Sequence, residues 1–363
     1  MKILCVAGAR PNFMKIAPIL KALDHYPEQV ETILLHTGQH YDFRMSQVFL
    51  DQLEIRKPDV FLNAGSGSHA RQTSQIMVEF ETVVQNLQPD LVLVVGDVNS
   101  TAACALVTKK TGIRLAHVEA GLRSFDRTMP EEINRLVTDA ITDIFYTTSE
   151  EAGRQLLKEG HHAEDIIMAG NCMIDTLRKL EKKADQSSIL TTLDLKAGEY
   201  ALLTLHRPSN VDDRLILGGI ADALAHIASH LPVVCPLHPR TKKKLGEFGL
   251  LDRLDRLENF VQIEPEGYLG FVKLMKNARF VITDSGGLQE ETTVLGIPCL
   301  TLRNNTERPE TITQGTNILA GIQKDDIIRE AGNILRGKIK KGRIPKYWDG
   351  RAAERIAEHL ISL

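Results

Sequence analysis

Residues 280–291 read FVITDSGGLQEE, and this stretch decides how the surrounding chain folds. Its first four residues are typical of a buried strand, and the glycine pair that follows is typical of a sharp turn. The later residues begin a segment with helical periodicity. The stretch therefore predicts a strand–turn–helix unit in which Ser285, Gly286 and Gly287 present backbone amides at the start of a helix.

The same rhythm of short apolar run and longer helical segment recurs along the chain. Six predicted strands precede residue 170, at 3–7, 32–36, 91–95, 115–118, 144–147 and 166–169. Six more follow, at 201–205, 233–237, 260–263, 280–283, 299–302 and 317–320. Strands that are apolar throughout and alternate with helices form parallel sheets covered on both faces. The sequence therefore predicts an α/β protein with two Rossmann-like, doubly wound parallel sheets.

The two groups of strands predict two domains, at 1–170 and 171–346. The segment 347–363 spaces Ala353, Ile356 and Leu360 along one helical face, so we expect a final helix that packs back on the first domain. A chain of 363 residues is long enough for each domain to have its own core.

Composition narrows the classes of function. The chain is 43% hydrophobic and 25% charged with a net charge of −3, which disfavours disorder, a membrane span and nucleic acid as a partner. The apolar run at 1–9 meets Arg10 too early for a signal peptide, so a cytoplasmic location is expected. Five scattered cysteines without C-x-x-C spacing indicate neither disulfides nor a thiolate metal site.

Ligands of doubly wound sheets bind at the carboxyl ends of the strands, so residues just after each strand are the candidates. After the first strand comes GARPNFMKIAP, where Arg10 and Lys15 flank a helix start that attracts phosphate. The alternative is an ordinary surface pair on a first helix. The G-x-G-x-x-G and Walker A patterns are missing from the sequence, so a nicotinamide cofactor is not indicated.

Three carboxylates in the first half occupy positions that suit chemistry: Asp97, Glu119 and Glu131. The first two directly follow strands, and Glu131 lies in the first turn of a helix behind a proline. Taken singly, Asp97 could cap the helix at Ser100, and Glu131 could pair with Arg135. Taken jointly, the three acids indicate general acid–base groups.

In the second half, His206 and His238 follow the first two strands and could neutralise a departing phosphate or relay a proton. Glu290 and Glu291 lie one turn into the helix after the Gly286 turn, where a carboxylate can accept hydrogen bonds from a ribose diol. The loop 63–72 is either a lid that brings Arg71 or Gln72 onto a ligand, or an ordinary solvent loop.

Metal chemistry is not predicted. The pair His117 and Glu119 matches the H-x-E of zinc deaminases, but the P-C-x-x-C that must accompany it is missing from the sequence. The sequence also lacks a D-x-D tripeptide, the usual indication of a divalent ion on a sugar nucleotide.

The motifs GARPNFMK, TGQHYD, GDVNST, HVEAGLRS, PEEINR, GNCMID, LHRPSN, DSGGLQEE and GIPCLTLRNNTERPE run from one end of the chain to the other. Together they resemble those of the non-hydrolysing UDP-N-acetylglucosamine 2-epimerase family. The resemblance implies a glycosyltransferase-B-type fold whose two domains face a cleft. It also implies a homodimer that interconverts UDP-N-acetylglucosamine and UDP-N-acetylmannosamine without a cofactor.

Carried over motif by motif, the resemblance assigns roles to single residues. Arg10 and Lys15 would meet the phosphates or sugar, and Arg135 would support the site. The catalytic groups would be Asp97, Glu119, Glu131 and His206. The UDP would be held by Ser285, Gly286, Gly287 and Glu291, with Arg308 and Glu310 nearby.

The resemblance leaves the sugar open. Many bacterial members read G-Q-H-R-E-M after the second strand and bind an activating second sugar nucleotide there, whereas here His40 is followed by Tyr41, Asp42 and Phe43. The forms GQHYD and RSFDRTMPEEINR also resemble those of 2-epimerases of UDP-2,3-diacetamido-uronic acids. A glycosyltransferase of the same fold and a hydrolysing epimerase are further alternatives.

Overall fold

This computed structural model describes residues 1–39, 53–65 and 67–363. These residues form two parallel sheets with helices between the strands. The chain divides into an N-terminal unit of residues 1–179 and 346–363 and a C-terminal unit of residues 180–345. His40, Tyr41, Asp42 and Phe43, on which the question of a second sugar nucleotide depends, lie outside the described residues.

The sheet of the N-terminal unit has seven strands in the order β3-β2-β1-β4-β5-β6-β7. The strands are β1 (Lys2–Ala7), β2 (Glu31–His36), β3 (Val60–Phe61), β4 (Leu91–Val95), β5 (Arg114–Ala120), β6 (Ile144–Thr147) and β7 (Ile166–Met168). All of their pairings are parallel. The order 3-2-1-4-5-6 is that of the Rossmann fold, here with one further strand.

The sheet of the C-terminal unit repeats this order with six strands, β10-β9-β8-β11-β12-β13. They are β8 (Ala201–Thr204), β9 (Val233–Pro236), β10 (Phe260–Ile263), β11 (Phe280–Thr283), β12 (Cys299–Thr301) and β13 (Asn317–Leu319). These pairings are also parallel. The predicted α/β class and the two doubly wound sheets are confirmed.

Helices follow the strands in both units. In chain order they are α1 (Arg10–Leu23), α2 (His69–Leu87), α3 (Asn99–Lys110), α4 (Pro130–Ile141), α5 (Glu150–Lys158), α6 (Cys172–Ala184), α7 (Ile189–Thr192), α8 (Pro208–Val211), α9 (Arg214–Ala228), α10 (Pro239–Glu247), α11 (Leu251–Asp255), α12 (Tyr268–Asn277), α13 (Gly286–Leu295), α14 (Pro309–Thr313), α15 (Lys324–Leu335) and α16 (Ala352–Ile361). Among the described residues, no helix combines the length and the apolar character needed to span a bilayer.

The twelve predicted strands are all present, with ends within two residues of the predicted ones. The expectation of six strands in the first half was nevertheless wrong by one, because β3 adds a seventh. This strand pairs only Val60 and Phe61 with β2, and Phe61 is 42% exposed. The apolar run here is only Val60, Phe61 and Leu62, shorter than the four or more residues by which a buried strand is recognised.

Each sheet has a switch point where the strand order reverses, between β1 and β4 in one unit and between β8 and β11 in the other. Ligands of such sheets bind outside the carboxyl ends of the two strands that flank the switch point. The stretches that follow these four strands begin at Gly8, Gly96, Leu205 and Asp284. The fold therefore directs attention to these four turns.

The last helix, α16, belongs to the N-terminal unit, where it packs against α1. The Asp175 carboxylate accepts hydrogen bonds from the backbone N–H of Ala352 and of Ala353, at 3.1 and 2.7 Å, and so caps this helix. Just before it, the buried Trp348 donates its indole N–H to the carbonyl oxygen of Thr148 at 2.9 Å. These contacts fix a segment that lies far along the chain from the rest of its unit.

Candidate functional site

Lys15 and Glu119 form a buried ion pair at the switch point of the N-terminal unit. Lys15 lies on α1 and is 7% exposed, and Glu119 lies near the end of β5 and is 6% exposed. A bulge in β5 gives Glu119 a φ of 73°, in the left-handed region. Such a conformation costs a non-glycine residue of order 1–3 kcal/mol and is found where the surroundings hold it for a function.

Gly96, the first residue after β4, makes room for this pair. A Cβ atom there would lie 3.1 Å from Nζ of Lys15 and 3.4 Å from Oε2 of Glu119, and the φ of Gly96 is +67°. The backbone conformation therefore favours glycine, and a Cβ atom would also crowd the Lys15 ammonium. The turn that carries Asp97 is thereby packed directly against the ion pair.

The turn before α1 contains an acceptor for two of its own amides. A helix start attracts phosphate through its backbone N–H groups, but those of Gly8 and Ala9 donate to Oδ1 of Asn12 at 3.1 and 2.9 Å. Arg10 is exposed, whereas Lys15 is buried, so the two predicted cations occupy different environments. Two amides of the turn before α1 are therefore already satisfied, and ligand binding by Arg10 and Lys15 stays a prediction.

Asp97 is held by Arg135. An Nη1–H of Arg135 donates to Oδ2 of Asp97 at 2.5 Å, and the guanidinium is 2% exposed whereas the Asp97 side chain is 28% exposed. The alternative that Asp97 caps a helix was wrong, because the N-cap of α3 is Val98. The structure therefore brings together a predicted catalytic acid and its predicted supporting arginine.

Glu132, and not Glu131, is the glutamate of α4 that faces the interior. Glu131 is exposed, whereas Glu132 is buried and accepts hydrogen bonds from the N–H groups of Ser124 and Phe125, each at 2.9 Å. Oε2 of Glu132 lies 2.8 Å from Nη2 of Arg135. Burial opposes ionisation of Glu132, but these hydrogen bonds outweigh it and lower the pKa of the carboxyl. The suggested Glu131–Arg135 pair is thus replaced by Glu132–Arg135.

His117 joins β5 to the turn after β4. Its Nε2 atom lies 2.8 Å from the carbonyl oxygen of Gly96, and its Nδ1 atom lies 2.6 Å from Oδ1 of Asp139. Both His117 and Asp139 are fully buried. Although burial opposes it, His117 and Arg123 lower the pKa of the Asp139 carboxyl. Asp139 is therefore an ionised hydrogen-bond acceptor that His117 contacts in the interior of the N-terminal unit.

Gln72 fixes the loop that precedes α2. Its Nε2 atom donates to the carbonyl oxygens of Gln39 and Gly65 at 3.1 and 2.9 Å, and its Oε1 atom accepts from Asn99 at 2.9 Å. The side chain is 7% exposed. These bonds connect three segments of the N-terminal unit, and contact of Gln72 with a ligand stays a prediction.

The glycine-rich turn before α13 lies at the switch point of the C-terminal unit. Ser285 is the N-cap of α13, which begins at Gly286. A Cβ atom on Gly286 would lie only 2.6 Å from Oε1 of Glu307, so this position tolerates no side chain as the neighbours stand. The glycine is thus needed for the close approach of a buried carboxylate, and binding of a diphosphate by Ser285, Gly286 and Gly287 stays a prediction.

Arg308 lies beside this turn, as the sequence suggests. Its Nε atom is 2.7 Å from Oε1 of Glu290, and its Nη1 atom is 3.2 Å from Oε1 of Glu307. Arg303 binds the other oxygen of Glu307 at 2.7 Å. Burial opposes ionisation of Glu307, yet Arg308 and Arg303 lower its pKa far below the ordinary range. Two arginines and two glutamates therefore balance one another under the start of α13.

Glu291 is almost fully buried on α13. The hydroxyl of Tyr268 donates to its Oε1 atom at 2.8 Å. Burial raises the pKa of Glu291 to about 7, opposed by the hydrogen bond from Tyr268 and assisted by the negative charge of Glu290. Glu291 therefore titrates near neutral pH, and a hydrogen bond from it to a ribose stays a prediction.

His206 contacts Asp284 across the two central strands of the C-terminal sheet. The Nδ1 atom of His206 lies 2.8 Å from Oδ1 of Asp284, and the His206 ring is 41% exposed whereas the Asp284 side chain is fully buried. The ring of His238 lies 5.7 Å from that of His206, centroid to centroid. His238 accepts from the N–H of Arg240 and so caps α10. A structural role for His238 is therefore established by its contacts.

Four buried residues near the candidates were missed by sequence reasoning as site residues: Glu132, Asp139, Asp284 and Glu307. Asp284 stands within the quoted stretch and follows its strand directly, so the rule on strand ends would have found it. Glu132 is adjacent to a predicted acid. Asp139 carries no such signal, because His117 and Arg123 come from other segments of the chain. Glu307 stands in the quoted motif GIPCLTLRNNTERPE between Arg303 and Arg308, so its charged neighbours were visible in the sequence.

Comparison with known proteins identifies the family. The family model for UDP-N-acetylglucosamine 2-epimerase matches residues 21–361. The chain is 42% identical to the UDP-N-acetylglucosamine 2-epimerase of Methanocaldococcus jannaschii, over 99% of both chains. It is 40% identical to the UDP-2,3-diacetamido-2,3-dideoxy-D-glucuronate 2-epimerase of Pseudomonas aeruginosa, over the full length of both.

Solved structures agree. The Methanocaldococcus jannaschii UDP-GlcNAc 2-epimerase in complex with UDP-GlcNAc and UDP superposes with a TM-score of 0.92 at 41% identity, and the match covers all of both chains. A lipopolysaccharide outer core galactosyltransferase shares the fold alone, with a TM-score of 0.57 at 13% identity. With a family match over nearly the whole chain and relatives above 40% identity, the protein belongs to the UDP-N-acetylglucosamine 2-epimerase family.

Proposed function

We propose that this protein is an isomerase that interconverts UDP-N-acetylglucosamine and UDP-N-acetylmannosamine by inverting carbon 2 of the sugar. The observation that carries the proposal is the pair of acids at the N-terminal switch point, where Glu119 is paired with Lys15 and Asp97 with Arg135. This arrangement occurs in a chain that matches the epimerase family over residues 21–361.

The chemistry must overcome the low acidity of the hydrogen on carbon 2, which has no neighbouring carbonyl. Elimination provides a route without a redox step. A carboxylate removes the hydrogen as a proton, the electron pair of that C–H bond forms a double bond to carbon 1, and the C–O bond to UDP breaks with its electrons on the diphosphate. The 2-acetamidoglucal then takes back UDP at carbon 1 and a proton at the opposite face of carbon 2.

Two acids suit the two faces of the sugar. Each is held in place by a buried cation, so that its position relative to the sugar is fixed. Glu119 is fixed by its bulge and by Lys15, and Asp97 by Arg135. We propose that Asp97 and Glu119 exchange the proton of carbon 2, and that Glu131, which is exposed on the first turn of α4, assists them.

The leaving diphosphate needs positive charge that strengthens as it departs. In the C-terminal unit we propose that Ser285, Gly286 and Gly287 bind it at the start of α13, with Glu291 on the ribose. Arg308 is already matched by Glu290 and Glu307, so we expect the additional charge to come from His206. Arg10 and Lys15 are the proposed cations of the N-terminal unit.

A UDP-2,3-diacetamido-uronic acid is the second candidate substrate. It is favoured by the Pseudomonas aeruginosa relative, which is 40% identical over the full length and carries that sugar in its name. The elimination chemistry is the same for both sugars, because it involves only carbons 1 and 2.

We also propose that the protein is cytoplasmic and that it forms a homodimer. Light scattering on the purified protein tests the homodimer.

The decisive experiment incubates the protein in D2O with UDP-N-acetylglucosamine and, in parallel, with the diacetamido-uronic acid, and follows carbon 2 by NMR. Deuterium at carbon 2 together with a second UDP-sugar supports the proposal and identifies the sugar. Glu119→Gln is the matched control and should abolish the exchange. Stoichiometric release of free UDP would indicate a hydrolysing enzyme, and transfer to an added acceptor would indicate a glycosyltransferase.

A further inference from the structure

The contact between His206 and Asp284 is built into the C-terminal sheet. Strands β8 and β11 are parallel neighbours, and Thr204 stands opposite Thr283 in their register. The hydroxyls of these two threonines are hydrogen-bonded at 2.7 Å. Asp284 follows Thr283 directly and His206 comes two residues after Thr204, so the sheet brings the imidazole and the carboxylate close together.

Every group that faces the Asp284 carboxylate is a donor. Its Oδ2 atom accepts from the backbone N–H of His206 at 2.9 Å and of Arg207 at 2.8 Å, and it lies 3.3 Å from Nδ2 of Asn210. Its Oδ1 atom faces Nδ1 of His206. Burial opposes ionisation, but the His206 and backbone contacts lower the pKa of Asp284. Asp284 is therefore an ionised group that can only accept.

This arrangement decides which ring nitrogen of His206 carries a proton. Nδ1 of His206 and Oδ1 of Asp284 lie 2.8 Å apart, too close for two lone pairs to face each other, and an ionised carboxylate has no proton to place there. The proton is therefore on Nδ1. With Nδ1 committed to a buried carboxylate, Nε2 is the ring nitrogen that remains for a ligand on this partly exposed side chain.

We propose that Asp284 is a positioning residue that fixes His206 in the Nδ1–H tautomer, with Nε2 directed to the diphosphate that leaves and returns. The proposal rests on the proposed function, because it assigns to His206 a role at the leaving group. An imidazolium fixed in this way gives its Nε2 proton to the diphosphate oxygen as the C–O bond breaks and takes it back on re-addition, while the charge of Asp284 stabilises the imidazolium in the states before and after.

Asp284→Asn tests the proposal with little change in shape. The carbonyl oxygen of the asparagine can keep the two backbone donors, so its NH2 group must face Nδ1 of His206. The ring then accepts at Nδ1 and carries its proton on Nε2. We expect turnover to fall by about 10²- to 10⁴-fold, the upper end being the effect of the same change in a serine protease triad, while the Kd for UDP changes less than about threefold.

Nitrogen NMR of histidine-labelled protein reads the tautomer directly, without turnover. We expect a protonated Nδ1 in the wild-type protein and a protonated Nε2 in the Asp284→Asn variant. Asn210→Ala is the matched control, because it removes a donor to the same carboxylate without contacting the ring, and it should leave the tautomer unchanged. A protonated Nε2 in the neutral ring of the wild-type protein would overturn the proposal.

A double-mutant cycle separates positioning from a general effect on the fold. In a His206→Gln background, Asp284→Asn should cost less than about threefold further turnover, because the ring on which it acts is gone. A loss as large as in the wild-type background would show that Asp284 acts through the loop instead. If the wild-type protein turns over neither UDP-sugar, the proposed function fails, whereas the NMR measurement still decides the role of Asp284.

Discussion

The Nε2 atom of His117 lies 2.8 Å from the carbonyl oxygen of Gly96, so a buried histidine of β5 holds the turn that carries Asp97. A carbonyl oxygen only accepts, and Asp139 is an ionised acceptor on the other side of the ring, 2.6 Å from Nδ1. The Nε2 atom therefore donates to Gly96, while Nδ1 faces the Asp139 carboxylate. Since Glu119 stands two residues after His117, one side chain ties together the segments that carry both candidate acids.

Replacing His117 by phenylalanine keeps an aromatic ring but removes both ring nitrogens. We expect the free energy of unfolding to fall by about 1–3 kcal/mol, because the Gly96 carbonyl and the buried Asp139 carboxylate each lose a hydrogen-bond partner. Turnover should fall at least about tenfold, because the Gly96 turn loses its anchor. Urea unfolding and steady-state kinetics measure the two effects. His230→Gln, an exposed site at the end of α9, is the control, and wild-type turnover in the phenylalanine variant would contradict the prediction.

Glu119→Gln should lower the rate of deuterium exchange at carbon 2 by about 10²- to 10⁴-fold, the range for loss of a general acid or base. It also leaves Lys15 buried without its charged partner, so stability should fall by a few kcal/mol, about 3–5 at most. The double variant Lys15→Met/Glu119→Gln should regain most of that stability and none of the exchange. Recovery of exchange in the double variant would remove Glu119 from the chemistry.

Variants of the neighbouring residues Glu131 and Glu132 should differ in whether they change turnover or stability. Glu132→Gln should lower stability by about 1–3 kcal/mol, because the hydrogen bonds of a buried charged group weaken. Glu131→Gln should leave stability unchanged, since the side chain is exposed, and should lower turnover if the predicted catalytic role holds. Thermal unfolding and kinetics on the two variants make the comparison, and the reverse pattern would show that the roles are exchanged.

The lowered pKa of Glu132 also predicts a pH dependence. A carboxyl whose pKa is lower in the folded state stabilises the protein above its unfolded pKa of about 4.3, and this contribution is lost as the pH falls through the folded value. Urea unfolding between pH 3 and pH 6 should therefore show a steeper loss of stability at acid pH for the wild-type protein than for Glu132→Gln. Parallel curves would argue against the hydrogen bonds seen here.

Glu291 predicts that UDP binding depends on pH. In the unliganded protein its pKa is about 7, so part of the population is protonated at neutral pH. If the ribose hydroxyls donate to its carboxylate, binding favours the charged form, and affinity should rise as the pH increases and level off above about 7, with a slope of at most about tenfold per unit below it. Calorimetry in buffers of different ionisation enthalpy should detect the released proton.

Glu291→Gln is the control for that prediction. The terminal phosphate of UDP itself titrates near pH 6, as phosphate monoesters do, with a pKa of about 6. The difference between the wild-type and Glu291→Gln curves therefore isolates the carboxyl. If the two curves stay parallel from pH 5.5 to pH 8.5, Glu291 does not bind the ribose in its charged form.

The sequence predicts the fold because buried parallel strands are apolar throughout, as in LVLVV of β4 and FVIT of β11. Strand prediction from the sequence fails at β3, because an edge strand of two residues is too short to be recognised from an apolar run. Strand ends also locate the candidate acids Asp97 and Glu119. The choice between Glu131 and Glu132 could not be made, because it depends on which side chain meets Arg135 and Ser124 in space. Likewise, Asn12 satisfies the amides at Gly8 and Ala9 as the N3 residue of a capping box, but Ala9 and Asn12 are not the Ser/Thr and Glu/Gln by which this motif is recognised in a sequence.

The N-terminal unit takes its last helix from residues 346–363, which lie beyond the whole C-terminal unit in the chain. During synthesis, the surface of α1 that α16 covers must wait uncovered until some 170 further residues have left the ribosome, since the intervening unit spans residues 180–345. The C-terminal unit is continuous and can be completed first. The acid-bearing half therefore completes its packing only after the C-terminal unit has been made, and a released chain truncated at residue 345 should hold a folded C-terminal half beside an N-terminal half without its last helix.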